Sequence, residues 1–401
     1  MKIIGNMGKT KKSPQNINFE EKNNFEYLLN KIVRDVKISE GRKSLEDILR
    51  CIYRNQPIST KKIGQEVKLP LPIVSNVRTI LERNGILKRS EKGALYTNYG
   101  LNIVEKNLKF RIKKDLKCPT CKGRGIILDD KFSKILEKVK KYSKMRPVVD
   151  TSIDQSYATP ETATYRAAFM ADRGDLEGKR VLFIGDDDLT SIPTGLSNLC
   201  DEIVVMDIDD RLLSLINEIS NKENLNIKTV KHDFRREIPK EYFNKFDVVF
   251  TDPPYTLDGL KLFLSRCVEG LGIGGEGTIY LAFSHKPIDE YLSVQRIINS
   301  MNFVIYEHIP GFNYYEGSEI IGNTTFLSRL VGKNIKYPNE GIDLLKLYTG
   351  EVKPTLRYYK CLKCGSVYEI DGKNRRIENL ICKCGSKRFK MIKRKKNKRA
   401  E

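Results

Sequence analysis

No run in the 401-residue sequence approaches the roughly eighteen consecutive apolar residues that a membrane-spanning helix requires. The first residues, Met1 to Asn6, lack the apolar core and cleavage pattern of a signal peptide, so a soluble cytoplasmic protein with no membrane contact is expected. Histidine is scarce: His232, His285 and His308 are too scattered to argue a catalytic site. Disulfides are not expected in such a chain, the thermophile exception aside, so its nine cysteines point to metal or buried thiols. Cys51, Cys200 and Cys267 sit singly in apolar surroundings and read as core residues. Nor is the chain poor enough in apolar residues to be disordered: 40% are hydrophobic, and the length leaves room for two or three domains.

Glycine is missing where a nucleotide-binding loop normally has it. The apolar run Lys179 to Ile184 followed by Gly185 reads as the first strand of a nucleotide-binding α/β domain. Such a loop keeps glycines so that its backbone can approach the ligand, yet here Asp186, Asp187 and Asp188 follow. Three carboxylates repel the methionine carboxylate of S-adenosylmethionine and attract ammonium groups. A cationic substrate is expected at the tip of this strand.

The formal net charge of +21 would ordinarily suggest nucleic acid. Much of it lies in the first dozen residues, in 131–146 and in the Lys387–Arg399 tail, whereas Val181 to Leu260 holds twice as many acidic as basic residues. A lysine-rich surface of the thermophile kind explains the excess equally well.

Residues 1–20 read as a flexible basic arm. Residues 21–110 give, in order, two amphipathic helices (Phe25 to Val36, Leu45 to Tyr53), a short capped helix from Ser59, a helix from Pro72 to Leu81 and a hairpin near Ile86 to Tyr96, the order of a winged helix. Used on DNA, its second helix would offer Ser75, Asn76, Arg78 and Thr79; the same module also serves as a dimerisation element or a lid. Residues 111–147 hold a CxxC turn at Cys118 and Cys121, half a zinc site or a simple turn, and a linker helix.

The catalytic domain is expected over 148–350. Gln155 to Arg166, with Tyr157 and Tyr165, is rich in hydroxyls and either overhangs the pocket or caps a helix from Pro160; both can hold. A second strand ends at Asp207 and Ile208, where a carboxylate accepts from ribose hydroxyls. A third ends before Asp233 and Phe234, placed at the adenine or at a helix N-terminus. The fourth runs into Asp252, Pro253, Pro254 and Tyr255: the prolines remove two amide hydrogens, leaving carbonyls and a carboxylate for an amine, with Tyr255 to cover it. Strands at Thr278 to Phe283 and Phe303 to His308 come next, and Phe326 to Leu330 closes the sheet. Between them a loop with Tyr315 and Glu316 mixes aromatics and acids, suited to a cation or simply to the surface. Over 351–390, Cys361, Cys364, Cys382 and Cys384 are close to a zinc ribbon with its second half one residue tight, and structural zinc is expected. Residues 391–401 read as a basic tail.

These residues resemble spermidine synthases and, more closely, the branched-chain polyamine synthases of archaea and bacteria. Gly185 to Asp188 stands where an aminopropyltransferase has its glycine-rich motif ending in Asp, Met206 to Asp209 where it has the ribose acid, Asp233 at its adenine acid and Asp252 on its catalytic acidic loop. The resemblance implies a Rossmann-like, methyltransferase-type α/β domain behind a winged-helix-like domain. It also implies transfer of an aminopropyl group from decarboxylated S-adenosylmethionine, the co-substrate, to the secondary nitrogen of spermidine. Candidate bases are Asp187, Asp188 and Asp252; Gly185, Asp186, Asp188, Asp207, Ile208, Asp233 and Phe234 would hold the donor. Gln155, Tyr157, Tyr165, Asp187, Asp252, Pro253, Pro254, Tyr255, Tyr315 and Glu316 would hold the polyamine. A homodimer is expected, and nucleic acid is a possible but not favoured partner. The alternative is an S-adenosylmethionine-dependent amino-methyltransferase acting on DNA or RNA, which the triple aspartate argues against.

Overall fold

The computed structural model describes residues 22–150, 153–316, 322–338, 341–345, 347–348, 355–371, 381–386 and 389–396. The expected arm at 1–20 and the loop residues 317–319 lie outside them. The chain divides into two compact units after Leu116. No described helix is long and apolar enough to cross a membrane.

The first unit comprises α1 (Lys22–Val36), α2 (Arg42–Asn55), α3 (Thr60–Val67), α4 (Leu71–Arg83), the hairpin β1 (Leu87–Ser90) and β2 (Gly93–Tyr96), and α5 (Asn98–Asn107). Its core is the expected pair of stripes: Leu29 and Ile32 of α1 meet Leu45, Ile48, Leu49 and Ile52 of α2, and Val74, Val77 and Leu81 of α4. The Ser59 hydroxyl accepts from the Lys62 amide at 3.3 Å and starts α3. At Gly93 a Cβ would fall 2.2 Å from the Ile58 carbonyl oxygen, so the hairpin can pass there only with glycine. One expectation fails. Arg78 is buried, donating to Thr60 Oγ1 and, at 2.9 Å, to Glu82 Oε1, so it is not on offer to a partner; Ser75 and Asn76 are exposed.

The second unit holds α6 (Asp130–Ser143), α7 (Pro160–Asp172), β3 (Arg180–Ile184), α8 (Ser191–Leu196), β4 (Glu202–Asp207), α9 (Asp210–Glu223), β5 (Ile227–Lys231) and β6 (Val248–Thr251). It continues through α10 (Leu257–Leu271), β7 (Glu276–Ser284), α11 (Ile288–Ser300), β8 (Phe303–Tyr314) and β9 (Thr324–Lys333). Seven strands form one sheet in the order β5-β4-β3-β6-β7-β9-β8, parallel from β5 to β7, with β9 antiparallel to both its neighbours. Strand β3 is buried on both faces, as a central parallel strand must be. Leu182 and Ile184 pack with Leu264, Cys267 and Val268 of α10, while Val181 and Phe183 pack with Phe169 of α7 and Ile216 of α9. Emptying the Phe183 site with alanine would cost about 3–5 kcal/mol. The strand of Phe326 does not close the sheet. It is inserted between β7 and β8, buried at Phe326, Leu327 and Leu330, and leaves the edge to β8, whose Val304 and Tyr306 are 62% and 68% exposed.

Beyond the seven-stranded sheet, β10 (Thr355–Cys361), β11 (Val367–Asp371) and β12 (Phe389–Lys396) form a three-stranded antiparallel sheet in the order β11-β10-β12. Residues 391–396, expected in a tail, are therefore paired backbone in β12, which runs alongside β10.

Candidate active site

The chain leaves β3 toward β4 and β5 on one side and toward β6 and β7 on the other, so a crevice opens between the carboxyl ends of β3 and β6. Gly185 makes the turn there at φ +75°, its N–H on the Met206 carbonyl at 2.9 Å. The cleft is lined from all four strand ends: Gly185 and Asp187, Asp207 and Ile208, Asp233 and Phe234, and Asp252 to Tyr255.

The three consecutive aspartates have three different fates. Asp186 is turned inward and caps α8, accepting from the Thr190 amide at 2.7 Å and the Ser191 amide at 3.1 Å; its own N–H donates to Asp207 Oδ2 at 3.0 Å. Asp188 is buried as well, accepting from the Ala158 amide and from Arg166 Nη1, both at 2.5 Å. Both are expected at the donor, and Asp188 also as a base; neither is among the residues that line the cleft. Asp187 does line it. The contact found for its carboxylate is the Ser156 amide at 3.3 Å.

Arg166, on α7, is wholly buried and spans the two loops: its Nη2 donates to Asp252 Oδ2 at 2.8 Å while Nη1 holds Asp188. Asp252 also accepts from Tyr315 at 2.5 Å and from Tyr255 at 3.1 Å. Sequence reasoning passed over Arg166 because its stretch is conspicuous for hydroxyls. The available signal was a single arginine on a helix face otherwise made of Ala163, Ala167, Phe169 and Met170.

Burial dominates the protonation of these acids. It pushes the Asp252 carboxyl up to about 7 against the pull of Arg166, and Asp186 up to about 8 despite the amides on it. Asp187 is raised well above the usual carboxylate range by burial and by the neighbouring Asp188, Asp252 and Asp207. Beside Phe234 burial also pushes Asp233 up, but the hydrogen bonds from Arg235 outweigh it and hold this carboxyl below its ordinary value.

The remaining expected residues divide cleanly. Asp207 stays at the end of β4, its Oδ1 on the Asp209 amide at 2.8 Å, and Phe234 packs its ring 5.0 Å from Phe263. Gln155 lines the cleft with both polar ends engaged, Nε2 to Asp209 at 3.0 Å and Oε1 from the Asp150 amide at 2.8 Å. Pro253, Pro254, Tyr255 and Tyr315 line it too, and the Pro254 carbonyl already accepts from the Thr256 amide at 2.8 Å. Tyr157, Tyr165 and Glu316 are not in the lining. Tyr157 donates to the Pro147 carbonyl at 2.8 Å beneath Arg146, and Tyr165 lies 4.5 Å under the Arg124 guanidinium. Glu316 is exposed, its N–H on the Tyr157 carbonyl at 2.9 Å. Lining residues outside the expected set are Ile153, Asp154, Arg235, Leu262, Phe263, Leu347 and Tyr348, while Ser156 belongs to the hydroxyl-rich stretch expected to overhang the pocket.

In the small sheet the four Sγ atoms of Cys361, Cys364, Cys382 and Cys384 lie within 4.8 Å of one another. Two turns deliver them, closed by Gly365 at φ +78° and Gly385 at φ +77°, whose amides reach the Cys361 and Cys382 carbonyls at 3.0 and 2.7 Å. Tetrahedral zinc with thiolates at about 2.3 Å fits such a set. Without metal the four thiols are uneven: the Ser366 hydroxyl and amide, with the neighbouring thiols, pull Cys364 down to about 6, while, against the Ser386 amide, burial and the other three thiols push Cys384 up to about 11. Cys118 and Cys121 join no group of three or more ligands among the described residues.

The sequence model of the branched-chain polyamine synthase A C-terminal domain matches residues 134–388, and that of the MarR family matches residues 47–93. An uncharacterized protein of Methanocaldococcus jannaschii is 59% identical over 99% of both chains. N(4)-bis(aminopropyl)spermidine synthases of M. jannaschii and Thermococcus kodakarensis are 37% and 33% identical over 73% and 72% of this chain and 83% and 82% of theirs. Among solved structures, the branched-chain polyamine synthase of Thermus thermophilus in complex with N4-aminopropylspermidine and 5′-methylthioadenosine matches with a TM-score of 0.64 at 25% identity, over 81% of this chain and 98% of that one.

Proposed function

Because the chain belongs to the branched-chain polyamine synthase family, we propose that it moves the aminopropyl group of decarboxylated S-adenosylmethionine onto the secondary nitrogen of spermidine. The products are N4-aminopropylspermidine and, after a second transfer, N4-bis(aminopropyl)spermidine, with 5′-methylthioadenosine released each time. A cleft lined by Asp154, Asp187, Asp207, Asp233 and Asp252 favours a donor that lacks the methionine carboxylate and keeps its ammonium. The same acids disfavour S-adenosylmethionine, and with it the methyltransferase reading.

In this account Asp207 and Asp233 meet the ribose and adenine of the donor, with Phe234 against the ring. The nitrogen of spermidine enters as an ammonium and must lose a proton before its lone pair can attack carbon. Asp187 takes that proton. The nitrogen then forms its bond to the terminal carbon of the aminopropyl group, the carbon–sulfur bond breaks, and its electron pair returns to the sulfonium, leaving a neutral thioether. Asp252 and Tyr255 orient the acceptor. The second addition uses the secondary nitrogen again, now tertiary.

The observation that carries this reading is that Asp187, of the three consecutive acids, faces the cleft and has no ion pair among the described residues. A carboxyl held above its usual range by burial is also a better proton acceptor near neutral pH than an ordinary one. Asp187→Asn should lower kcat by about 10²–10⁴-fold with little change in the KM for spermidine; full turnover would remove Asp187 as the base. We place the reaction in a homodimer, for which light scattering on the purified protein is the check.

A further inference from the structure

A wholly buried arginine is costly unless every N–H finds an acceptor. Arg166 finds five. Nε donates to Asn313 Oδ1 at 2.9 Å; Nη1 donates to Asp188 at 2.5 Å and Thr190 Oγ1 at 3.3 Å; Nη2 donates to Asp252 and to the Tyr315 hydroxyl, both at 2.8 Å. That is the whole donor capacity of a guanidinium. Its central carbon also lies 5.0 Å from the centroid of the Phe250 ring.

The acceptors themselves are fixed from behind. The Asn313 amide donates to Thr325 Oγ1 and to the Phe326 carbonyl, each at 2.9 Å, and the Tyr315 hydroxyl lies 3.1 Å from Thr325 Oγ1. Strands β8 and β9, at the antiparallel end of the sheet, thus brace a side chain whose far end reaches the parallel half.

Asp188 follows β3 and Asp252 follows β6, the two strands that border the crevice. Hydrogen bonds of the sheet stop at Ile184 and Thr251, so beyond them the spacing of the two loops depends on other contacts. We propose that Arg166 is a positioning residue of the transfer reaction: it ties the loop carrying Asp187 to the Asp-Pro-Pro-Tyr loop at one separation, holding the proton acceptor and the acceptor-binding loop in register. The proposal rests on the aminopropyl-transfer reading above. Lysine cannot substitute, because its three donors radiate from one nitrogen and lack the planar fork that spans two carboxylates.

Charge gives the bridge a second consequence. Arg166 is the cation between Asp188 and Asp252, and it lowers the affinity of Asp252 for a proton against the upward push of burial. Removing the cation makes the acids of the cleft harder to ionise, so the acid limb of the rate profile moves to higher pH.

Steady-state kinetics with decarboxylated S-adenosylmethionine and spermidine across pH, on wild type, Arg166→Lys, Arg166→Gln and Tyr315→Phe, with melting curves for each, tests this. Arg166→Lys keeps the charge and loses the fork: kcat should fall about 100-fold, with the KM for spermidine within about threefold and the acid limb unmoved. Arg166→Gln should fall at least as far and shift the acid limb up by about one pH unit. Retention of kcat within about threefold in either variant would overturn the proposal. So would a loss that tracks only the unfolded fraction while the pH limb stays at its wild-type position. If both arginine variants fail to fold, Tyr315→Phe decides: it removes one hydroxyl from the bridge, and kcat should drop about tenfold, a wild-type rate overturning the proposal. A wild type that releases no methylthioadenosine would instead sink the aminopropyl-transfer reading, and this proposal with it.

Discussion

Asp186, Asp187 and Asp188 are adjacent and chemically identical, and what separates them is which backbone amides and which cation each can reach. Their sequence shows an acidic oddity in a nucleotide loop; it does not show that the first acid caps a helix and the third faces an arginine twenty-two positions earlier. That an acid of this loop would line a pocket was legible; that Asp186 and Asp188 would be engaged elsewhere was not. Removing Asp188 leaves a buried guanidinium short of its partner, so Asp188→Asn should lower stability by about 3–5 kcal/mol. Asp187→Asn should leave the melting temperature unchanged or raised, since it removes an acid set among like charges. Asp252 and Asp186 hold their protons to about 7 and about 8, so between the ordinary carboxylate range and pH 8 the folded state binds more protons than the unfolded one. Stability of the ligand-free protein should then fall as pH rises through that window. Melting curves from pH 5 to pH 8 check the sign; a rise across this interval would contradict it.

At the level of elements, strands β3, β4 and β6 could be read from short apolar runs and β5 from its β-branched Ile227, Thr229 and Val230, each giving way to a carboxylate at or just past its carboxyl end. The insertion of β9 between β7 and β8 could not, because one strand's pattern of burial does not say which strand it will pair with. The stretch Phe389–Lys396 was equally opaque: its lysine-rich composition reads as a solvated tail, and only pairing with β10 makes it a strand. The cysteine turns were legible through spacing alone, including the tight second half. Purified protein should contain about one zinc per chain by elemental analysis, and Cys364→Ser should lose it along with part of the thermal stability. Protein that folds and melts identically without metal would rule out a structural zinc.

For the whole molecule, a net charge of +21 misleads about its working part. Residues 117–350 carry 30 Lys and Arg against 34 Asp and Glu, so the excess of positive charge lies entirely in the flanking segments. A polycation is drawn to the acid-lined cleft by local charge and not by the sum over the chain. The KM for spermidine should accordingly rise several-fold between about 0.05 and 0.5 M salt as those carboxylates are screened; a KM indifferent to salt would argue against recognition through them.

The most direct test is the mass of the amine produced when the protein is incubated with spermidine and either donor. With decarboxylated S-adenosylmethionine the account predicts amines heavier by one and by two aminopropyl groups, with one methylthioadenosine per group transferred, and no product from S-adenosylmethionine. Unchanged spermidine with the decarboxylated donor, together with methylated nucleic acid from S-adenosylmethionine, would contradict it.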